Sequence, residues 1–469
     1  MSAVLMFIAV VLYVLGLLFF TLKRIVFRGK WEFVVYFMLL YLPFYISILS
    51  IAYQATGSDV VVAFFQYLKE LILALAVLAF VLYQKDPFGY GFKLNIIDWL
   101  FMVFFSLATV YLFLPLGEAT FVNKLLYLKN TLLIGAFYFL GRNTVFDAGQ
   151  IKRVFSIIMG IAIAACCLNI FEKTVGVHFQ NMTGYALFNY AINGVEPSGN
   201  YGLSWTFETQ TTGMRLASFF SDPLELASSC LLAFSTGLIW YLSTKREEGG
   251  FYMLVMVAAV GSLFFSASRA AFGAFFLMVF FIAVVFRLYR LLLLGLGLLA
   301  TFVIYVVYFA SDDFYYFVYD TITFQNASSV GHVIEWLLAL DTMLANPEGI
   351  GLAMSGNTGS VEDEVRVGGE NQFLIYGVQL GVMGMLLYIT ILFLGIFKSM
   401  KVFRASEDVN LARMAFVTGA TKFGLLLPLF TANAELYAYV SLTTWWMMGY
   451  TMTGYNRLFL SRNSTLATT

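Results

Sequence analysis

Apolar residues along this chain fall into windows of roughly 20, the length that carries a helix across the hydrocarbon of a bilayer. The windows lie at 3–22, 33–53, 62–83, 96–115, 124–141, 153–171, 220–242, 251–266, 270–286, 291–310, 371–397, 414–431 and 436–455. The pattern predicts one integral membrane domain over 1–469, all-α and polytopic, with about 12–14 transmembrane helices. Ser266 to Arg269 divides two windows either as a kink in one helix or as a tight helical hairpin. Two connections are long, 172–219 and 311–370, and hold turn signals such as Gly194 to Asn200. Within the second, Val333 to Leu344 carries an apolar stripe broken by Glu335 and Asp341. It reads as a short amphipathic helix stopped by Asn346-Pro347.

Composition excludes the soluble alternative. The 469 residues are 61% hydrophobic and 12% charged, against about 25% charged in a soluble domain. A transmembrane barrel would alternate polar and apolar positions and need far more polar residues. Cys166, Cys167 and Cys230 lie in apolar stretches, in neither a disulfide framework nor a zinc pattern. Lys23, Arg24, Arg28 and Lys30 follow the first window where a signal peptide would have a cleavage site, so that window is expected to be retained.

Net charge is zero, but its distribution is informative. Cations gather in alternate connections, at 23–30, 85–93, 142–153, 245–246, 287–290 and 398–413, and in the tail. Positively charged loops stay cytoplasmic. The N-terminus is therefore expected outside, the C-terminus inside, and both long connections on the outer face.

Candidate chemistry lies mostly on that face. Arg215 and Arg269 break the cation pattern. Each either binds phosphate oxygens through a guanidinium fork or reaches the interface and pairs with a carboxylate. Glu370, in Glu370-Asn371-Gln372, stands where the second long loop enters a span, and is either a general base or a helix cap. Asp222 and Glu225, around Pro223, read as a helix start, with substrate contact as the alternative. Glu362-Asp363-Glu364 is either a solvated loop or a divalent-cation site. His178 and His332 are the only histidines and do not form a metal pair. Lys129 and Lys422, and Glu70 beside Lys69, fall inside spans, where charges pair between helices or meet lipid headgroups. There is no phosphate loop, dinucleotide fingerprint or triad signature.

Four places in order then show a resemblance. They are Asp98 to Arg142, ending Phe139-Leu140-Gly141-Arg142; Arg215 to Glu225; Ser266-Ala267-Ser268-Arg269-Ala270; and Ser328-Ser329 through Trp336 and Asn346-Pro347-Glu348-Gly349-Ile350-Gly351 to Glu370-Asn371 and Gly381-Val382-Met383-Gly384. Across these the chain resembles the O-antigen ligase and Wzy-type polysaccharide polymerase superfamily of bacterial inner-membrane, GT-C-like glycosyltransferases. It departs from the family where ligases carry His in place of Glu370, where His332 replaces an Arg, and where Lys129 occupies a region in which relatives carry Arg. The first departure favours a polymerase over a ligase.

The resemblance implies a donor glycan on undecaprenyl pyrophosphate, presented at the periplasmic face of the inner membrane, and transfer with inversion. Arg215 and Arg269, aided by Lys129, would stabilise the leaving pyrophosphate, and Glu370 would orient or deprotonate the acceptor. Asn371, His332, Asp222 and Glu225 would complete the substrate site. No cofactor or metal is expected. The expected partners are membrane lipids, a chain-length regulator and a flippase of the same pathway, and no nucleic acid. The rivals are ligase-type transfer to lipid A-core or another acceptor, and a lipid-linked oligosaccharide transporter.

Overall fold

The computed structural model describes residues 3–83, 93–209, 213–323, 325, 327–356 and 366–460. The first half holds α1 (Ala3–Arg28), α2 (Val34–Tyr41), α3 (Tyr45–Thr56), α4 (Asp59–Tyr83), α5 (Ile96–Phe113), α6 (Phe121–Asn143), α7 (Ala148–Val175), α8 (Phe179–Thr183) and α9 (Tyr185–Asn193). The second holds α10 (Pro223–Ser243), α11 (Gly249–Ser266), α12 (Arg269–Val285), α13 (Tyr289–Tyr308), α14 (Asp312–Ile322), α15 (Ala327–Ala345), α16 (Gln372–Ala405), α17 (Val409–Gly424), α18 (Leu426–Thr431) and α19 (Ala438–Tyr455). The only β pairings among the described residues are isolated bridges, Ser198 to Leu203 and Glu208 to Met214.

Every apolar window coincides with helix. Among the described residues nine helical segments are long and apolar enough to cross a membrane, counting α2–α3 and α17–α18 as single passes. The chain is a multi-pass helical membrane protein. Helix α12 is apolar but shorter, as is the Leu292–Tyr308 stretch of α13, and α6 and α19 fall outside the nine. The reason is position. Helix α1 buries one stripe, Val14, Leu17, Thr21 and Ile25, and leaves the rest to lipid. Helix α19 is enclosed nearly all round, from Tyr439 to Met452. Protein-facing hydroxyls cost little when they bond within the helix, and Thr444 donates to the Val440 carbonyl at 2.7 Å, Thr451 to that of Met447 at 2.8 Å.

Helices α6 and α19 cross with almost no side chain between them. A Cβ on Gly449 would stand 2.8 Å from the Arg142 nitrogen, and one on Gly141 2.9 Å from the Tyr450 nitrogen. Beside the crossing Asp98 is fully buried, accepting from Arg142 Nε at 3.0 Å and Tyr138 Oη at 2.7 Å. Arg142 also donates to Thr453 Oγ1 at 2.9 Å and to the Lys93 carbonyl at 2.8 Å. This clamp ties α5, α6 and α19 at one end.

Neither reading of the Ser266–Arg269 junction is quite right. Helix α11 stops at Ser266, Ala267 takes the left-handed region at φ 46°, and Ser268 caps α12. The two helices then part: α11 packs chiefly on α10 and α7, and α12 on α17 and α18. A second break lies inside α16, where Gly381 adopts φ 72°, ψ 179°. The turn after α15 fills it. Ile350 N–H donates to the Val378 carbonyl at 2.8 Å, Gly351 N–H to that of Gln379 at 3.3 Å, and Val382 N–H to that of Pro347 at 2.9 Å. Residues 351–356 are buried behind it. Irregular backbone at membrane depth survives where protein satisfies it.

Helices occur in both long connections: α8 and α9 in the first, α14 and α15 in the second. Helix α15 begins at Ala327, earlier than the apolar stripe indicated, and ends before Asn346. The first connection is pinned to α7 by Glu172, which accepts from the N–H of Phe179 at 2.8 Å and of Ser218 at 3.2 Å.

Candidate functional site

A cavity of about 430 Å³ opens where the first turns of three helices meet. Asp222 and Leu224 border it from α10, Ser268, Ala270 and Ala271 from α12, and Glu370 from the residue before the α16 cap. His332 of α15 and Asn433 and Tyr437, beyond α18, close the remaining sides. Each helix start is capped by its own side chain. Asp222 Oδ1 accepts from Leu224 at 2.7 Å and Glu225 at 2.8 Å, Ser268 Oγ from Ala271 at 3.3 Å, and Asn371 Oδ1 from Phe373 at 3.0 Å. First-turn amides and the helix dipole make such ends favourable to anions.

Arg215 and Arg269 are not among the walls of this cavity but adjoin them. Arg269 opens α12 between two wall residues, Ser268 and Ala270. Arg215 is held by its own N–H on the Phe207 carbonyl at 2.9 Å and by Nε on the Ser266 carbonyl at 3.1 Å. Burial draws the Arg215 pKa down, Asp222 and Tyr437 pull it back up, and Arg269 pushes it down again. All four groups therefore share one electrostatic neighbourhood. A guanidinium stays charged through such shifts. Burial raises the Asp222 carboxyl, against the lowering effect of its two amide donors and of Arg215. Burial also holds the Tyr437 phenol well above its ordinary value, with Asp222 and Glu225 adding to the rise.

Glu370 is not a cap; Asn371 is. Glu370 is instead in direct contact with His332, Oε2 on Nδ1, both partly exposed at the cavity. Trp336 stacks near His332 with ring centres 6.2 Å apart and packs on Phe430 at 4.8 Å, which braces α15 over the site.

The structure does not gather every candidate. Glu225 stands behind the wall, accepting from Ser221 Oγ at 2.5 Å and Tyr439 N–H at 3.4 Å. Lys129 does not line the cavity. It pairs with Glu70 at 3.2 Å, and Lys69 approaches the same carboxylate at 3.4 Å. His178 is buried in the first connection between the rings of Tyr201 and Phe207, and burial lowers its pKa to about 4. Glu362-Asp363-Glu364 lies outside the described residues, among which no three His, Cys, Asp or Glu side chains come together as a metal site would require.

One buried carboxylate beside the cavity went unnoticed in the sequence. Glu435 sits in the turn between Asn433 and Tyr437, under the cavity floor. It accepts from Tyr388, Ser441 and Trp445 Nε1, the last at 3.0 Å, and faces Lys422 Nζ at 3.9 Å. Lys422 in turn lies 3.8 Å from the Trp445 ring. The signal was there: an acid between two apolar windows, with a lysine 13 residues earlier in the same wall.

A scan against models of known protein families finds no match for this chain, and a search of curated proteins finds none either.

Proposed function

We propose that the protein is a polysaccharide polymerase of the inner bacterial membrane that joins undecaprenyl-pyrophosphate-linked repeat units at the periplasmic face. One observation carries this reading: a single cavity is bordered by three helix starts and by Glu370, a carboxylate that caps nothing, while Arg269 sits in sequence between two of its wall residues and Arg215 is coupled electrostatically to Arg269 and to the wall residues Asp222 and Tyr437. Cationic ends and guanidinium groups suit a diphosphate, and placed where charge develops they lower the barrier to its departure. A hydroxyl of the acceptor unit attacks the anomeric carbon, and its proton passes to Glu370. The bond from that carbon to the pyrophosphate oxygen breaks, and undecaprenyl pyrophosphate leaves with its charge met by Arg215 and Arg269. Attack opposite the leaving group inverts the centre, and the arginines supply the electrostatic role without a bound metal. His332 orients Glu370, and the Phe207 and Ser266 carbonyls hold Arg215 while Asp222 and Tyr437 keep its charge favourable.

The distribution of cations supports a topology with the N-terminus and both long connections periplasmic, and the C-terminus cytoplasmic. A chain-length regulator and a flippase are the partners such an enzyme works with. The deciding experiment incubates the purified chain with a defined lipid-linked repeat unit alone. Laddered products are expected. Products only with an added acceptor would mean a ligase, and no new glycosidic bond would mean transport.

A further inference from the structure

A second cavity, of about 380 Å³, lies far from the first in sequence and in character. Its walls are Phe20 of α1, Phe33, Tyr36 and Leu40 of the pass that begins at Trp31, and Ser156 and Ile157 of α7. From Phe33 to Leu40 it follows the helix axis for roughly 10 Å, a depth suited to an acyl chain. Arg153 stands at its mouth. Opposite, the Arg24 guanidinium lies 5.2 Å from the Phe33 ring and 5.7 Å from that of Phe20, two of the same walls. Neither arginine has a carboxylate at ion-pair distance among the described residues.

The surrounding charge is one-sided. Lys23, Arg24, Arg28, Lys30, Lys152 and Arg153 gather at this end, against Glu32 and Asp147. Asp147 is already engaged, capping α7 through the Gln150 N–H at 2.8 Å. Tyr36, whose hydroxyl donates to the Gln150 carbonyl at 2.9 Å, holds α2 against α7 and fixes the groove's width. A greasy slot with one guanidinium in its wall and a second beside two of its rings, neither at ion-pair distance from a carboxylate among the described residues, suits an anion attached to a hydrocarbon tail.

We infer that this groove seats an anionic phospholipid, its phosphate between Arg24 and Arg153 and one acyl chain along Phe20, Phe33, Tyr36, Leu40 and Ile157. Cations mark this end as cytoplasmic, so the lipid comes from the inner leaflet. The lipid joins α1, which buries only one stripe of its own, to α2 and α7. This inference stands apart from the proposed glycosyl transfer and needs only the membrane fold.

Native mass spectrometry of the delipidated full chain tests it, with phosphatidylglycerol or phosphatidylethanolamine added at equal concentration. One phosphatidylglycerol should be retained at least fivefold better than phosphatidylethanolamine. The double variant Arg24→Gln/Arg153→Gln should lose that preference. Ser156→Trp, which fills the groove but keeps both guanidinium groups, should lose it as well. Arg28→Gln/Lys30→Gln, at the same end but outside the groove, should keep it, and glycerol 3-phosphate should not displace the lipid. Equal retention of the two lipids, wild-type preference in the first double variant or in Ser156→Trp, loss in the Arg28/Lys30 variant, or displacement by glycerol 3-phosphate would each overturn the proposal.

Discussion

Glu370 and Asn371 are adjacent and do different work. The amide oxygen of Asn371 is spent on the first turn of α16, which leaves the Glu370 carboxylate to face His332 and the cavity. Sequence alone could not separate these roles, because either side chain can cap a helix and only the backbone angles decide which does. Glu370→Gln keeps the shape and removes the proposed proton acceptor. Polymer formation in vitro should fall by about 10²-fold or more, and wild-type turnover would leave the residue no chemical part. Arg269→Ala should reduce turnover by about 10²–10³-fold and leave single repeat units on their carrier. Normal polymer lengths in that variant would remove the pyrophosphate role. His178 offers a test away from the site. Its folded pKa of about 4 lies below the ordinary 6.5, so the fold favours the neutral ring. That stability is complete above pH 6.5 and is lost as the pH falls toward 4, each unit of displacement being worth about 1.4 kcal/mol. Hydrogen exchange in residues 178–207 should rise over that window, and His178→Phe should flatten the response.

At the scale of elements, the apolar windows located the helices because a bilayer leaves the backbone no other way to satisfy itself. What the windows could not show is how close two helices come or where one breaks. Gly141 and Gly449 are unremarkable in sequence; their meaning comes from a crossing 308 positions apart in the chain. The same holds for Asp98 and Arg142, visible as a pair of charges but not as a clamp. Asp98→Asn strands the buried Arg142 guanidinium and should destabilise the protein by about 3 kcal/mol, read as a lower Tm in detergent. An unchanged Tm would show that Thr453 and the Lys93 carbonyl suffice. At Gly381 the φ of 72° and the Glu348 carbonyl carbon, 2.6 Å from any Cβ, leave no room for a side chain. Gly381→Ala should cost at least about 1–2 kcal/mol and loosen the 346–356 turn to protease.

For the molecule as a whole, the sequence order of the candidate motifs was legible and their meeting point was not. Asp222, Ser268, His332 and Glu370 are spread over nearly 150 positions, and only packing brings them to one cavity. Lys129 shows the opposite case. Inside a span, Lys129 is expected to pair between helices or meet a headgroup, and only the resemblance adds a phosphate role; Glu70 of α4 supplies the interhelical partner at 3.2 Å. Sidedness has a direct check. With Cys166, Cys167 and Cys230 replaced, Glu196→Cys should react with a membrane-impermeant maleimide in intact cells and Glu407→Cys only after lysis. The reverse pattern would put the cavity on the cytosolic side and end the proposed reaction.

The broken α16 has a consequence for biogenesis. The turn at 346–351 leaves the ribosome before the carbonyls of Val378 and Gln379 that hold it, so it must wait, unpaired, until the following helix is inserted. Closure of the cavity, which also needs Asn433 and Tyr437, is thereby postponed to the end of synthesis. A nascent chain truncated between Arg269 and Val378 would carry both arginines and still lack the carbonyls that hold this turn.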